Sequence, residues 1–156
     1  MGEKKVAENK DTKILAVAGK RGVGKTSIAA VMVKLLAQLH PDKKILAIDA
    51  DPAVGLSTAL GIEVKLTIDD IRKEVISTIE DGETKSALEL LGEARSRIFD
   101  AIVESRENES SGFSFIAIGR PESAGCYCKI NNYLKEVIGL LKDKYDYVVI
   151  DGEAGI

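Results

Sequence analysis

The chain has 156 residues, a formal net charge of −3, 45% hydrophobic and 30% charged residues. Those values predict one soluble globular domain with a real core, and they argue against a whole-chain electrostatic footprint for nucleic acid. No apolar run approaches a membrane span, the start lacks a signal-peptide core or a myristoylation pattern, and two cysteines without a secretory signal fit a reducing, cytoplasmic compartment.

Residues 1–12 are polar and aperiodic at their start and predict a flexible tail, leaving 13–156 as the folded domain. The apolar run from Thr12 to Ala18 predicts a first strand, buried on both faces. It feeds Gly19-Lys20-Arg21-Gly22-Val23-Gly24-Lys25-Thr26-Ser27, which meets the pattern G-x-x-x-x-G-K-[ST] in full. Glycines let a backbone curl so that successive N–H groups point at phosphate oxygens. The helix after the loop adds the partial positive charge of its N-terminus. Lys25 is then the cation for the β- and γ-phosphates, and the Thr26 hydroxyl a Mg²⁺ ligand. Ile28, Val31, Leu35, Leu36 and Leu39 recur at helical spacing and predict the core stripe of this helix. His40-Pro41-Asp42 ends it, with His40, the lone histidine, read as a C-terminal cap.

Lys44 to Ile48 predicts a second strand, and strand–helix–strand with short links implies a right-handed parallel unit. The strand delivers Asp49 and Asp51 to the sheet edge where ligands bind in such folds. Gly55 to Lys65 reads as loop and short helix. Thr67 predicts an N-cap for a helix whose face carries Ile68, Ile71, Val75 and Ile79, broken at Asp81-Gly82. Thr84 to Arg106 reads as one helical stretch and Glu107 to Ser114 as a polar loop. Phe115 to Ile118 predicts a third strand. Ile130, Tyr133, Leu134, Val137, Ile138 and Leu141 predict a further helix, and Tyr147 to Ile150 a fourth strand. That strand delivers Asp151 with Gly155 four residues on, the spacing of a Mg²⁺-binding carboxylate and a γ-phosphate-sensing amide.

Cys126 and Cys128 are too close for a favoured intrachain disulfide and too few for a metal site in one chain. A two-fold dimer supplies four thiolates, enough for Zn²⁺ or Ni²⁺ or for a [4Fe–4S] cluster; ordinary loop thiols are the other reading.

Lys20, directly after the first glycine, gives the loop two lysines. The chain therefore resembles the deviant Walker A family of MinD, ParA and the nitrogenase iron protein, with Arg21 standing where that family usually has glycine. The resemblance implies that Lys20 reaches a partner's nucleotide across a homodimer. It also implies that Asp51 orients the attacking water and that Asp49 lies near Mg²⁺. Gly-Arg-Pro at 119–121, Gly125-Cys126-Tyr127-Cys128 and Asp151-Gly152-Glu153-Ala154-Gly155-Ile156 look like the CooC-type ATPase that accompanies carbon monoxide dehydrogenase. That likeness implies ATP hydrolysis with Mg²⁺, a shared Cys-x-Cys metal and nickel insertion into the dehydrogenase as client.

The expected fold is α/β: a three-layer α/β/α parallel-sheet P-loop NTPase of the SIMIBI class. Its sheet is expected to be incomplete, because family members are much longer and the chain reads as the N-terminal part of such a domain. The catalytic expectation rests on Lys20, Lys25 and Asp51. The rival readings are a MinD/ParA-type positioning or partition ATPase, an electron-transfer ATPase and a nucleotide-binding module without turnover.

Overall fold

A computed structural model describes residues 11–51, 53, 55–80, 87–106, 112–119 and 135–152. Five strands form one sheet: β1 (Lys13–Val17), β2 (Ile45–Asp49), β3 (Val103–Arg106), β4 (Gly112–Ala117) and β5 (Tyr147–Asp151). Their spatial order is β1-β5-β2-β4-β3. The first four in that order are parallel, and β3 runs antiparallel to β4 with Val103 opposite Phe115. Helices α1 (Lys25–Leu39), α2 (Gly55–Leu60), α3 (Ile68–Glu80), α4 (Ala87–Asp100) and α5 (residues 135–141) complete the described elements, with a 3-10 turn at Lys142–Lys144.

The strand side chains alternate between two cores, as a pleated strand requires. Ile45, Ala47, Phe113, Phe115 and Val149 pack with α1 and α2. Leu46, Ile48, Ile116, Ile118, Val148 and Ile150 pack with Ile68 and Ile71 of α3 and with Val137 and Leu141 of α5. This is the expected three-layer arrangement. The central strands are covered on both faces, which is why they read as unbroken apolar runs.

Four expectations are corrected. The stretch read as one helix to Arg106 ends at Asp100 and turns into β3. An edge strand needs only one covered face, so Val-Glu-Ser-Arg forms a strand with Glu104 exposed and bonded to the Ser114 hydroxyl. The same pairing extends β4 back to Gly112, into what read as loop. β1 is not buried on both faces: it is a sheet edge among the described residues, with Ile14 49% exposed.

The fourth correction concerns α1. Its buried line is Lys25, Ala29, Val33 and Ala37, while Ile28, Val31, Leu35 and Leu39 are 48–70% exposed; Leu36 is partly buried. Lys25 must turn inward to its loop, and positions four, eight and twelve residues on turn inward with it. Small alanines on that line let α1 lie close to the sheet. Both faces of α1 are apolar, so periodicity could not choose between them.

The N-cap at α3 is as expected. Thr67 and Asp70 bond reciprocally: the Thr67 N–H donates to Asp70 Oδ2 at 2.9 Å and the Asp70 N–H donates to Thr67 Oγ1 at 3.2 Å. Residues 1–10 of the predicted tail over 1–12, the break at Asp81-Gly82, most of the loop after Arg106, and Ile130, Tyr133 and Leu134 of the predicted helix lie outside the described residues. No helix among the described residues is long and apolar enough to cross a membrane.

The outward stripe on α1 makes a direct prediction. Replacing Leu35 with Glu and Leu39 with Lys is expected to reduce self-association in sedimentation and light scattering, with stability held within about 0.5 kcal/mol. A loss of several kcal/mol would place these leucines in a core, contrary to this fold.

Candidate functional site

The site begins with strand register. Val17 pairs with Asp151 across β1 and β5, and Asp151 pairs with Asp49 across β5 and β2. Three neighbouring parallel strands thus end level with one another. The loop after Val17, the carboxylate of Asp151 and the carboxylate of Asp49 are brought to one edge of the sheet. The main chain fastens the level further: the Ala50 N–H donates to the Asp151 carbonyl at 2.9 Å, and the Gly152 N–H to the Val17 carbonyl at 3.1 Å.

The loop from Gly19 to Gly24 takes left-handed angles at Gly22 (φ 83°) and Gly24 (φ 88°). Neither angle suits a residue with a Cβ. Gly24 is also the residue before α1, and no side chain caps the helix there. The amides that open α1 at Lys25, Thr26 and Ser27 are therefore left for an anion. Lys25 is 8% exposed, and its Nζ donates to the Lys20 carbonyl at 3.2 Å, so the cation lies across its own loop. Lys20, Arg21 and Val23 are exposed at the loop tip.

Asp49 and Asp151 sit side by side in different circumstances. Asp49 is 1% exposed and both its oxygens are used. Oδ1 accepts the Asp51 N–H at 3.2 Å; Oδ2 accepts the N–H groups of Leu56 at 3.0 Å and Ser57 at 3.4 Å. Burial pushes its carboxyl up to about 6, against the pull of those three amides, and the charge of Asp151 adds to the rise. Asp151 is 0% exposed, and neither oxygen has a hydrogen-bond partner. Burial raises its carboxyl, and the charge of Asp51 adds to that. The Thr26 hydroxyl and Lys25 pull the other way, the hydroxyl without reaching the geometry of a formed bond. Asp51 is half-buried at the same edge, and its Oδ1 accepts the Ala53 N–H at 2.9 Å.

The structure thus gathers Gly19, Lys20, Arg21, Gly22, Val23, Gly24, Lys25, Thr26, Ser27, Asp49, Asp51 and Asp151 at one sheet edge. Gly155, Cys126 and Cys128 lie outside the described residues. Among the described residues no cluster of three or more histidine, cysteine or carboxylate side chains could hold a metal ion. The Asp151 oxygens, buried without partners beside a hydroxyl, do fit one hard cation that keeps most of its water.

One site residue escaped the reading of the sequence. A Cβ on Gly55 would lie 3.5 Å from Thr26 Cγ2 and 3.7 Å from Thr26 Oγ1, so the start of α2 lies close beside the hydroxyl residue of the loop. Its signal was present: Asp51 and Gly55 have the same D-x-x-x-G spacing as Asp151 and Gly155.

Comparison with known proteins agrees with this geometry. An uncharacterized ATP-binding protein of Methanocaldococcus jannaschii, MJ0685, is 41% identical over 143 residues, covering 92% of this chain and 54% of its own length. The carbon monoxide dehydrogenase accessory protein CooC of Rhodospirillum rubrum is 27% identical over 150 residues, covering 91% and 55%. Among solved structures, the septum site-determining protein MinD of Pyrococcus horikoshii, complexed with Mg-ADP, superposes with a TM-score of 0.53 at 26% identity, over 93% of this chain and 50% of that one. The chain spans about half the length of the curated relatives it matches. The AAA domain family AAA_31 matches residues 12–153. With that match over nearly its whole length and a mostly parallel sheet of MinD/ParA type, the chain belongs to the AAA_31 family of P-loop NTPase domains.

Proposed function

We propose that this chain binds ATP with Mg²⁺ at the Gly19–Ser27 loop and is built to hydrolyse it. The observation that carries the reading is Asp151, a buried carboxylate with two unpartnered oxygens, next to Thr26 and to an uncapped helix N-terminus. An unpaired buried carboxylate is costly, and either a proton or a cation relieves it. Asp151 and Thr26 would hold Mg²⁺, which when bound neutralises charge across the β- and γ-phosphates. The name of the Methanocaldococcus relative and the Mg-ADP of the Pyrococcus MinD complex support that choice of ligand.

The chain's own residues divide the work. The amides of Gly22 to Ser27 line the phosphates. Lys25 exchanges the Lys20 carbonyl for phosphate oxygens, a change of partner that needs no new charge to be buried. Asp51 orients a water toward the terminal phosphate and takes its proton as the water oxygen bonds to the γ-phosphorus and the bond to the leaving ADP oxygen breaks. The Gly155 amide reads the γ-phosphate. Lys20 reaches the phosphates bound by a second copy, and Arg21 stands beside it at the loop tip.

A finer reading is a maturation factor that inserts nickel into carbon monoxide dehydrogenase. It is supported by Cys126-Tyr127-Cys128 and by the likeness to CooC. In that reading two chains share one metal through four thiolates. A positioning or partition role is supported equally by the likeness to MinD. The two differ at the cysteines. On anaerobically purified protein, the nickel-insertion reading expects a nucleotide-dependent dimer with about half a metal per chain, lost on Cys126→Ser. A metal-free protein favours the MinD-type role.

Two further outcomes test the ATPase itself. Lys25→Ala is expected to weaken ATP binding at least about tenfold by calorimetry, the scale of a charge-assisted contact. Asp51→Asn is expected to keep binding and lose phosphate release. Turnover unaffected by Asp51→Asn would remove that residue from the mechanism.

The raised carboxyls also set a pH dependence. A carboxyl raised in the folded state stabilises the fold at low pH and loses that contribution as pH climbs from about 4 through about 6, by about 3 kcal/mol for Asp49. Asp151 acts in the same direction. Asp70 is lowered by its bonds to Thr67, so its contribution is present above about 4 and lost on acidification. Metal-free protein should therefore melt lower at pH 7 than at pH 5, and Mg-ATP should narrow that gap by the share that Asp151 contributes. A melting temperature that climbs steadily from pH 4 to 7 and ignores Mg-ATP would contradict the orphaned-carboxylate reading.

A further inference from the structure

Asp49 has the position of a metal-site carboxylate and the bonding of something else. Its side chain is almost completely buried, and it accepts three backbone N–H groups: Asp51 on one oxygen, Leu56 and Ser57 on the other. Those donors are not neighbours in function. One belongs to the residue placed to orient water. The other two belong to the first turn of α2, whose opening residue, Gly55, lies so near Thr26 that a Cβ there would touch it. Leu56 is itself fully buried against the α1 side of the sheet, so the turn that Asp49 grips is anchored in the core.

We propose that Asp49 is a positioning residue: its carboxylate clamps Asp51 and the first turn of α2 in one arrangement over Thr26, and it acts through them without itself ligating the metal. The inference rests on the ATPase reading for the role of Asp51, and on hydrogen bonds alone for the clamp. Two carboxylates in register on adjacent strands thereby take separate roles. Asp151 keeps its oxygens free for a cation; Asp49 commits both to main-chain donors. A charged acceptor suits the clamp because an ionised carboxylate accepts several N–H groups at once, with bonds stronger than a neutral amide makes. Asparagine has the same shape but one acceptor oxygen, so it cannot hold both Asp51 and α2.

The test uses Asp49→Asn, with Asp151→Asn beside it. The first readout is residue-resolved amide hydrogen exchange on nucleotide-free protein in EDTA. Asp49→Asn is expected to speed exchange either at Asp51 or at Leu56 and Ser57 by at least about tenfold, with the α1 amides unchanged. Asp151→Asn is expected to leave these amides alone. The second readout is kinetic. Asp49→Asn should lower kcat at least about tenfold while the Mg²⁺ midpoint moves less than about twofold, whereas Asp151→Asn should raise that midpoint. A raised Mg²⁺ midpoint in Asp49→Asn, with exchange at Asp51, Leu56 and Ser57 unmoved, would overturn the proposal and make Asp49 a metal-site residue. Should Asp49→Asn fail to fold, the unaltered chain in EDTA carries the test: the Asp51, Leu56 and Ser57 amides are expected to exchange at least about tenfold more slowly than unstructured amides, and unprotected exchange at all three would overturn the clamp. Because the exchange readout needs neither ATP nor Mg²⁺, a chain without ATPase activity would defeat the functional reading and still decide the clamp.

Discussion

The parallel insertion of β5 between β1 and β2 is the constraint on which the site depends. β1 and β2, consecutive in the chain, are not neighbours in the sheet. The last described strand separates them and brings Asp151 between Val17 and Asp49. Parallel pairing puts all three strand ends at one edge, and right-handed crossovers put α1 on the face where its N-terminus meets that edge. A one-residue slip of β5 would send Asp151 to the opposite face, so the two cores that fix its alternation also fix the site. Packing and chemistry are specified by the same pairs.

At this edge, charge is concentrated before any ligand arrives. Asp49, Asp51 and Asp151 share the edge with Lys25, whose charge acts on Asp151 while its Nζ is turned to the Lys20 carbonyl. Only part of the negative charge is offset from within. The main chain offsets more of it at Asp49, where three amides converge, and almost none at Asp151. Such a site is complementary to a metal with a polyphosphate, since each brings the charge that the other half of the edge lacks. Burial is what makes the complementarity strong, because the same carboxylates in water would be screened and weakly coupled.

Much of this was legible in the residues because it is written locally. The glycine spacing, Lys25 and Thr26 are contiguous, and their chemistry depends on a short loop and one helix end. The strand residues announce themselves because β2, β4 and β5 are covered on both faces. What was not legible depends on neighbours distant in sequence. Val103 to Arg106 carries too little apolar character to declare a strand, and becomes one only because Phe113 and Phe115 offer a partner. The inward face of α1 is decided by Lys25, not by the larger aliphatic residues, since both faces are apolar and only one can accompany the lysine inward. Gly55 has meaning only once Thr26 is seen beside it.

Asp49 and Asp151 show how little of a residue's role resides in its type or even its place. Both are aspartates ending parallel strands, paired in register, almost wholly buried. They differ in the path the chain takes beyond them. After Asp49 the chain returns within a few residues to begin α2 with its amides pointing back, and two of those amides find the carboxylate. After Asp151, Gly152 turns its amide to Val17 instead. An aspartate that meets a helix N-terminus becomes structural, because helix amides and carboxylate each satisfy a need the other has. An aspartate whose oxygens meet no donor keeps its hydrogen-bonding capacity open, which fits a hard cation. The amides turned toward each carboxylate, more than the carboxylate itself, separate the bonded aspartate from the open one.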